Sequence, residues 1–157
     1  MLELRAMTPA SYGVYLTRAV PEYAAGKTQS GDWAACEALA KSEAEYQKLL
    51  PQGPNTPNNF LYDLYDPLLG ADIGALWYAL SGSPEHRYAY GCELYIGAEH
   101  RRKGYATQAF ELAEADAARR GVTSIRFHVF GHNAGAIKLY ERLGYQASNI
   151  IMQKTLS

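Results

Sequence analysis

From Ile96 to Ala106 the chain reads Ile-Gly-Ala-Glu-His-Arg-Arg-Lys-Gly-Tyr-Ala, set between an apolar run of strand character and a run of helical periodicity. This stretch restricts the fold more than any other. A strand that turns tightly into a helix needs a sheet to carry it and a second layer to cover the helix. The turn also aims several unpaired backbone N–H groups at one point. The helix dipole adds partial positive charge there, so the local physics favours an anion. Gly104 has no Cβ to keep a phosphate away, and Ala106 is the next smallest choice. Arg101, Arg102 and Lys103 place cations at the rim.

The elements around this turn follow from patterning. Leu2 to Met7 alternates as a strand, and Thr8-Pro9 supplies an N-cap and a first-turn proline. The pattern predicts a helix from Pro9 to Ala25, bent at Pro21, with Gly26 near its end. A second helix is expected from Trp33 to Leu50, with Trp33, Cys36, Leu39, Ala40, Ala44 and Leu50 inward. Residues 51–59 are rich in Pro, Gly and Asn and read as an internal loop. Strands follow at 60–65, 73–80 and 88–96, then a helix from Gly104 to Arg120 closed by Gly121. Ser124 to Phe130 reads as a strand, Asn133 to Leu143 as a helix, and Tyr145 to Leu156 as a last strand region. The expected class is an α/β (α+β) sandwich with a mixed sheet, residues 1–157 forming one domain.

Two blocks resemble a known superfamily. Arg101-x-x-Gly104-x-Ala106 is similar to the acyl-CoA pyrophosphate loop of the GNAT N-acetyltransferases, and Asn133-Ala134-Gly135-Ala136-Ile137-Lys138-Leu139-Tyr140-Glu141-Arg142-Leu143-Gly144-Tyr145 to their second hallmark. Order and spacing fit over the second half of the chain; the first half fits in outline. Leu49-Leu50-Pro51-Gln52-Gly53-x-x-Thr56-Pro57, after Gly31-Asp32-Trp33, resembles a bacterial subgroup of that superfamily. The resemblance implies the GNAT fold: a twisted, mostly antiparallel mixed sheet of about six to seven strands flanked by about four helices. That fold commonly ends in a hairpin, for which few residues remain after Leu143.

Composition removes other classes. The chain has 157 residues, 48% apolar and 20% charged, with a formal net charge of −1. Without a basic excess it does not read as a nucleic-acid binder. No apolar run reaches the ~18 residues of a membrane span, and Met1-Leu2-Glu3-Leu4-Arg5 lacks signal-peptide character. Cys36 and Cys92 show no metal spacing and are expected as buried small hydrophobes in a reducing cytoplasm. A nucleotide-binding fold would need a P-loop or a Gly-x-Gly-x-x-Gly turn, and neither occurs.

The resemblance implies acetyl transfer from acetyl-CoA, a co-substrate, to a primary amine of a small molecule or peptide, by direct attack on the thioester and with no metal. The alternative is a catalytically idle module that binds acyl-CoA as a sensor or subunit. Cofactor contacts are expected from Arg101, Arg102, Gly104, Tyr105, Ala106 and Thr107, from Asn133, and from the strand carrying Leu94 and Ile96. An N–H near Leu94 would stabilise the oxyanion. Tyr140 is the candidate acid, because a phenol of pKa ≈ 10 is protonated at neutral pH. Glu93 is the first candidate base, expected by alternation to face away from Cys92 and Leu94. His128 is the second, its competing reading a hydrogen-bonded histidine within a sheet. Tyr12, Trp33, Asn59, Tyr62 and Trp77 are candidates to line the acceptor pocket. A short apolar C-terminal strand beside an uncovered sheet edge argues for a homodimer.

Overall fold

The computed structural model describes residues Met1–Ser157. Thr8 caps the first helix: its hydroxyl accepts from Ser11 N–H while the Ser11 hydroxyl accepts from Thr8 N–H, and Pro9 sits in the first turn. Helix α1 (Pro9–Gln29) runs through Pro21 and beyond Gly26, ending before Gly31, whose φ is +85°. Gly26 is therefore not a terminator. A Cβ there would lie 2.7 Å from the Phe130 ring, so the glycine admits a close approach of the segment carrying Phe130.

The strands are β1 (Glu3–Ala6), β2 (Asn59–Asp66), β3 (Ala71–Ser83), β4 (His86–Ile96) and β5 (Ile125–Phe127). They form one sheet in the order β1-β2-β3-β4-β5, antiparallel except for the parallel β4–β5 pair. One face packs on α3 (Tyr105–Arg119) through Leu64, Leu76, Tyr78, Ala89, Ala109 and Ala113. The other carries α1 and α2 (Ala35–Leu49) through Met7, Tyr15, Ala19, Tyr46, Leu61 and Trp77. Helix α4 (Ala134–Arg142) lies against β5 and α3 by way of Tyr140, Phe127 and Phe110. No helix is long and apolar enough to cross a membrane.

Three expectations are corrected here. The sheet has five strands rather than six or seven. Residues 146–157 join no strand and are exposed: the tail leaves the β5 edge without pairing to it. The tail instead passes near the end of α1, where the Gln153 amide donates to the Ser30 carbonyl at 3.0 Å. Second, α2 buries Ala38, Ser42 and Tyr46, leaving Cys36 exposed and Leu39 51% exposed. The Ser42 hydroxyl donates to the Val20 carbonyl at 2.8 Å, and such a small side chain lets α1 and α2 approach closely. Third, Cys92 is only half-buried.

Candidate active site

Strand β4 is paired with β3 along its whole length but with β5 only at Ala89, Tyr90 and Gly91. Beyond that point β4 and β5 part. A bulge sits at the parting: Trp77 opposes Glu93 and Tyr78 opposes Gly91, leaving Cys92 as the extra residue. The bulge resets the direction of the backbone groups. Before it, Ala89 donates its N–H toward the β5 side, to Ser124. After it, Gly97 donates to Ile73 on the β3 side, so by alternation the N–H groups of Leu94 and Ile96 point into the gap.

The bulge also resets the side chains. Cys92 and Glu93 share the α1–α2 face, which corrects the expectation that they face apart, while Leu94 faces opposite to Glu93 as expected, on the α3 side. A cavity of about 60 Å³ occupies the gap, lined among others by Cys92, Glu93, Leu94, Phe127, His128 and Tyr140. Burial and the neighbouring Glu93 push the Cys92 thiol up to about 12, so it stays neutral.

At the foot of the gap the chain makes a single 3-10 turn at Ala98–His100 and enters α3. Arg102 (φ +60°) and Gly104 (φ +82°) are both left-handed. The N–H groups of Arg102 through Thr107 have no backbone acceptor, and no side chain caps the helix. Beyond its own chain neighbours, nothing lies within 4 Å of where a Gly104 Cβ would stand, so the space above it is open. Arg101 is partly spoken for: its Nε donates to the Ile96 carbonyl at 2.9 Å and ties the turn to the strand. Arg102 and Lys103 are exposed at the rim. The Tyr105 hydroxyl donates to Asp66 at 2.5 Å and pins the helix start to the end of β2.

Tyr140 stands on the α3–α4 face of the gap, its ring edge-on to Phe127 at 4.5 Å and Phe110 at 5.2 Å. Burial raises its pKa above the ordinary phenol value, so it keeps its proton at neutral pH. Asn133 caps α4, its side-chain oxygen accepting from Ala136 N–H at 3.3 Å. Tyr145, after the Leu143-Gly144 stop, packs on Phe110 and Phe127 and donates to Glu114 at 2.7 Å, fixing α4 against α3.

On the opposite face the Glu93 carboxylate is engaged at both oxygens. Arg18 of α1 donates to one, and the Tyr46 hydroxyl of α2 donates to the other at 3.3 Å. Arg18 also pairs with Glu22 at 2.7 Å and lies over the Tyr95 ring at 3.6 Å. Sequence reasoning missed Arg18 and Tyr46, which stand 75 and 47 residues from Glu93; only the bulge and helix packing bring them together. Of the pocket candidates, Tyr62 lies on the α3 face, bonded to Asp116, so it does not join the α1–α2 wall. Trp77 is 4% exposed and donates to Asn59 at 2.9 Å, and Tyr12 stacks on Tyr15; these build the core. Trp33 remains near the surface, edge-on to Tyr23.

Comparison with known proteins places this geometry. The pattern of the acetyltransferase (GNAT) family matches residues 32–145. Two proteins of Bacillus subtilis (strain 168) align over nearly the whole chain: the uncharacterized N-acetyltransferase YycN, 35% identical over 98% of this chain and 97% of that protein, and the uncharacterized N-acetyltransferase YdgE, 32% identical over the same shares. The crystal structure of YycN superposes with a TM-score of 0.95, covering 100% of this chain and 99% of that one. A GCN5-related N-acetyltransferase from Ralstonia eutropha JMP134 shares the fold at a TM-score of 0.71 and 19% identity, over 99% of both chains.

Proposed function

Because the chain belongs to the acetyltransferase (GNAT) family, we propose that residues 1–157 act as one domain that moves the acetyl group of acetyl-CoA to a primary amine of a small molecule or peptide. The observation that carries this reading is the parting of β4 from β5 directly above an uncapped helix N-terminus. In this reading the free N–H groups of Arg102 to Thr107 hold the pyrophosphate, with Arg102 and Lys103 adding charge and Asn133 a contact from α4. The N–H groups of Leu94 and Ile96 pair with the pantetheine arm as a neighbouring strand would. Acetyl-CoA supplies the activated thioester when bound.

The amine attacks the thioester directly from the α1–α2 side. Leu94 N–H lies where negative charge develops on the carbonyl oxygen. Tyr140 gives its proton to the departing thiolate from the opposite face. The sequence points to Glu93 as base. With its charge already matched by Arg18, we assign it instead to fixing the acceptor wall through Arg18 and Tyr46. We also propose a homodimer with the C-terminal segment, residues 146–157, at the interface beside the uncovered β5 edge.

The test is an acceptor screen with acetyl-CoA that reads free thiol release, beside calorimetry for acetyl-CoA itself. Turnover of an amine supports the enzyme. Binding without turnover on any amine supports the idle acyl-CoA module, and absence of binding overturns both.

A further inference from the structure

We propose that His128 is the general base that takes the proton from the acceptor amine. The inference rests on the acetyl-transfer reading above. Residue 128 directly follows the last paired residue of β5, Phe127, so it stands where the two strands part. Phe127 sends its ring to Phe110 and Tyr140 on the α3–α4 face. The next residue along an extended chain faces the other way, toward α1. His128 thus lines the same gap as Tyr140 from the acceptor side, and it remains open to solvent there.

The imidazole is free to accept a proton. It is steadied by the edge of Phe130 at 5.0 Å, with no side-chain hydrogen bond. Phe130 is itself seated on α1 at Gly26, which fixes the segment. Glu93, by contrast, has both oxygens engaged. The ionisable groups around His128 are Lys27 of α1 and Asp32 beyond it, Cys92 and Glu93 of β4, and Tyr140 of α4. His132 stacks on Phe130 at 5.2 Å. Partial burial and the Lys27 charge lower the His128 pKa, Asp32 opposing, which favours the neutral ring.

The step balances. His128 removes one proton from the ammonium, and the freed lone pair forms the C–N bond at the thioester carbonyl carbon. The C–S bond breaks and its electron pair leaves on sulfur, which takes the Tyr140 proton. The second amine proton is lost as the amide forms and resets Tyr140 through solvent. His128 then gives up its proton, one being released per turnover.

The experiment uses the full chain, acetyl-CoA and an amine that the wild type turns over. His128→Gln is expected to lower kcat on the order of 10²-fold at pH 7, with acetyl-CoA affinity unchanged by calorimetry. In wild type, kcat/KM falls with acid through a step below the ordinary histidine value; the variant lacks that step and keeps only the limb set by the amine. Added imidazole restores part of the turnover of His128→Ala, which a packing role would not permit. Wild-type kcat and an unmoved acid limb in His128→Gln overturn the assignment while leaving acetyl transfer intact. No turnover of any amine by the wild type overturns both.

Discussion

Gly104 is held at φ +82° with open space above it, so two separate constraints fall on one residue. A Cβ there strains the backbone by about 1–2 kcal/mol and stands where a phosphate would approach. Gly104→Ala is expected to lower the melting temperature slightly and to weaken acetyl-CoA about tenfold, near 1.4 kcal/mol by calorimetry. Unchanged affinity in the folded variant would remove the cradle from the mechanism. At Tyr140 the hydroxyl and the ring separate cleanly, since the ring packs on Phe110 and Phe127. Tyr140→Phe keeps that packing and is expected to retain acetyl-CoA binding while kcat drops about 10²-fold where chemistry limits turnover. Wild-type turnover would leave Tyr140 a packing residue. The motif made Gly104 and Tyr140 legible in the sequence; the partners of Glu93 were not, because no local pattern signals an Arg18 on a distant helix.

Helix α3 is the element on which the cradle depends, and it is fastened at both ends. Tyr105 ties its start to Asp66. Near its end the buried Asp116 accepts from Tyr62 at 2.8 Å and from Tyr78, and pairs with Arg119 and Arg120. Burial opposes the charge on Asp116, but the Tyr78 and Tyr62 hydroxyls and the arginines win, and its pKa lies below the ordinary 3.8. A carboxylate lowered on folding stabilises above its unfolded pKa, and that stability is lost as pH falls through the folded value. Chemical denaturation below about pH 4 should therefore show wild type losing stability faster than Asp116→Asn. At pH 7 Asp116→Ala should cost about 2–3 kcal/mol, since the Tyr78 and Tyr62 O–H groups both lose their acceptor. Equal acid dependence in wild type and Asp116→Asn would show that Asp116 is not the linked group. Helical period located α3, and the stop at Gly121 agrees. It could not locate Asp116 in the core, because an aspartate carries no apolar signal.

At the scale of the whole molecule the uncovered features are the outer edge of β5 and the tail beyond Tyr145. Ile150 is 77% exposed, Ile151 95% and Met152 89%, an apolar run without a partner. An open sheet edge and an apolar strand-former tend to find one another. Light scattering over a concentration series is expected to show a dimer, and removal of residues 146–157 a monomer. A wild-type monomer at high micromolar concentration, or a dimer whose interface leaves the tail untouched, would defeat this arrangement.

The features legible from residue order are local. The cap at Thr8, the glycine at 104 that admits close approach, the uncapped start of α3, and the Leu143-Gly144-Tyr145 stop each depend on residues within a few positions, so spacing and residue type suffice to read them. Long-range packing set the inward face of α2, the bulge at Cys92, the pairing of Arg18 with Glu93, and the placing of His128 and Tyr140 on opposite sides of one gap. These follow from which strands pair and where the pairing stops. A one-residue change of register reverses every side chain after it. Alternation along an unbroken β4 puts Glu93 opposite Cys92; the extra residue, accommodated by β3, puts them on the same face.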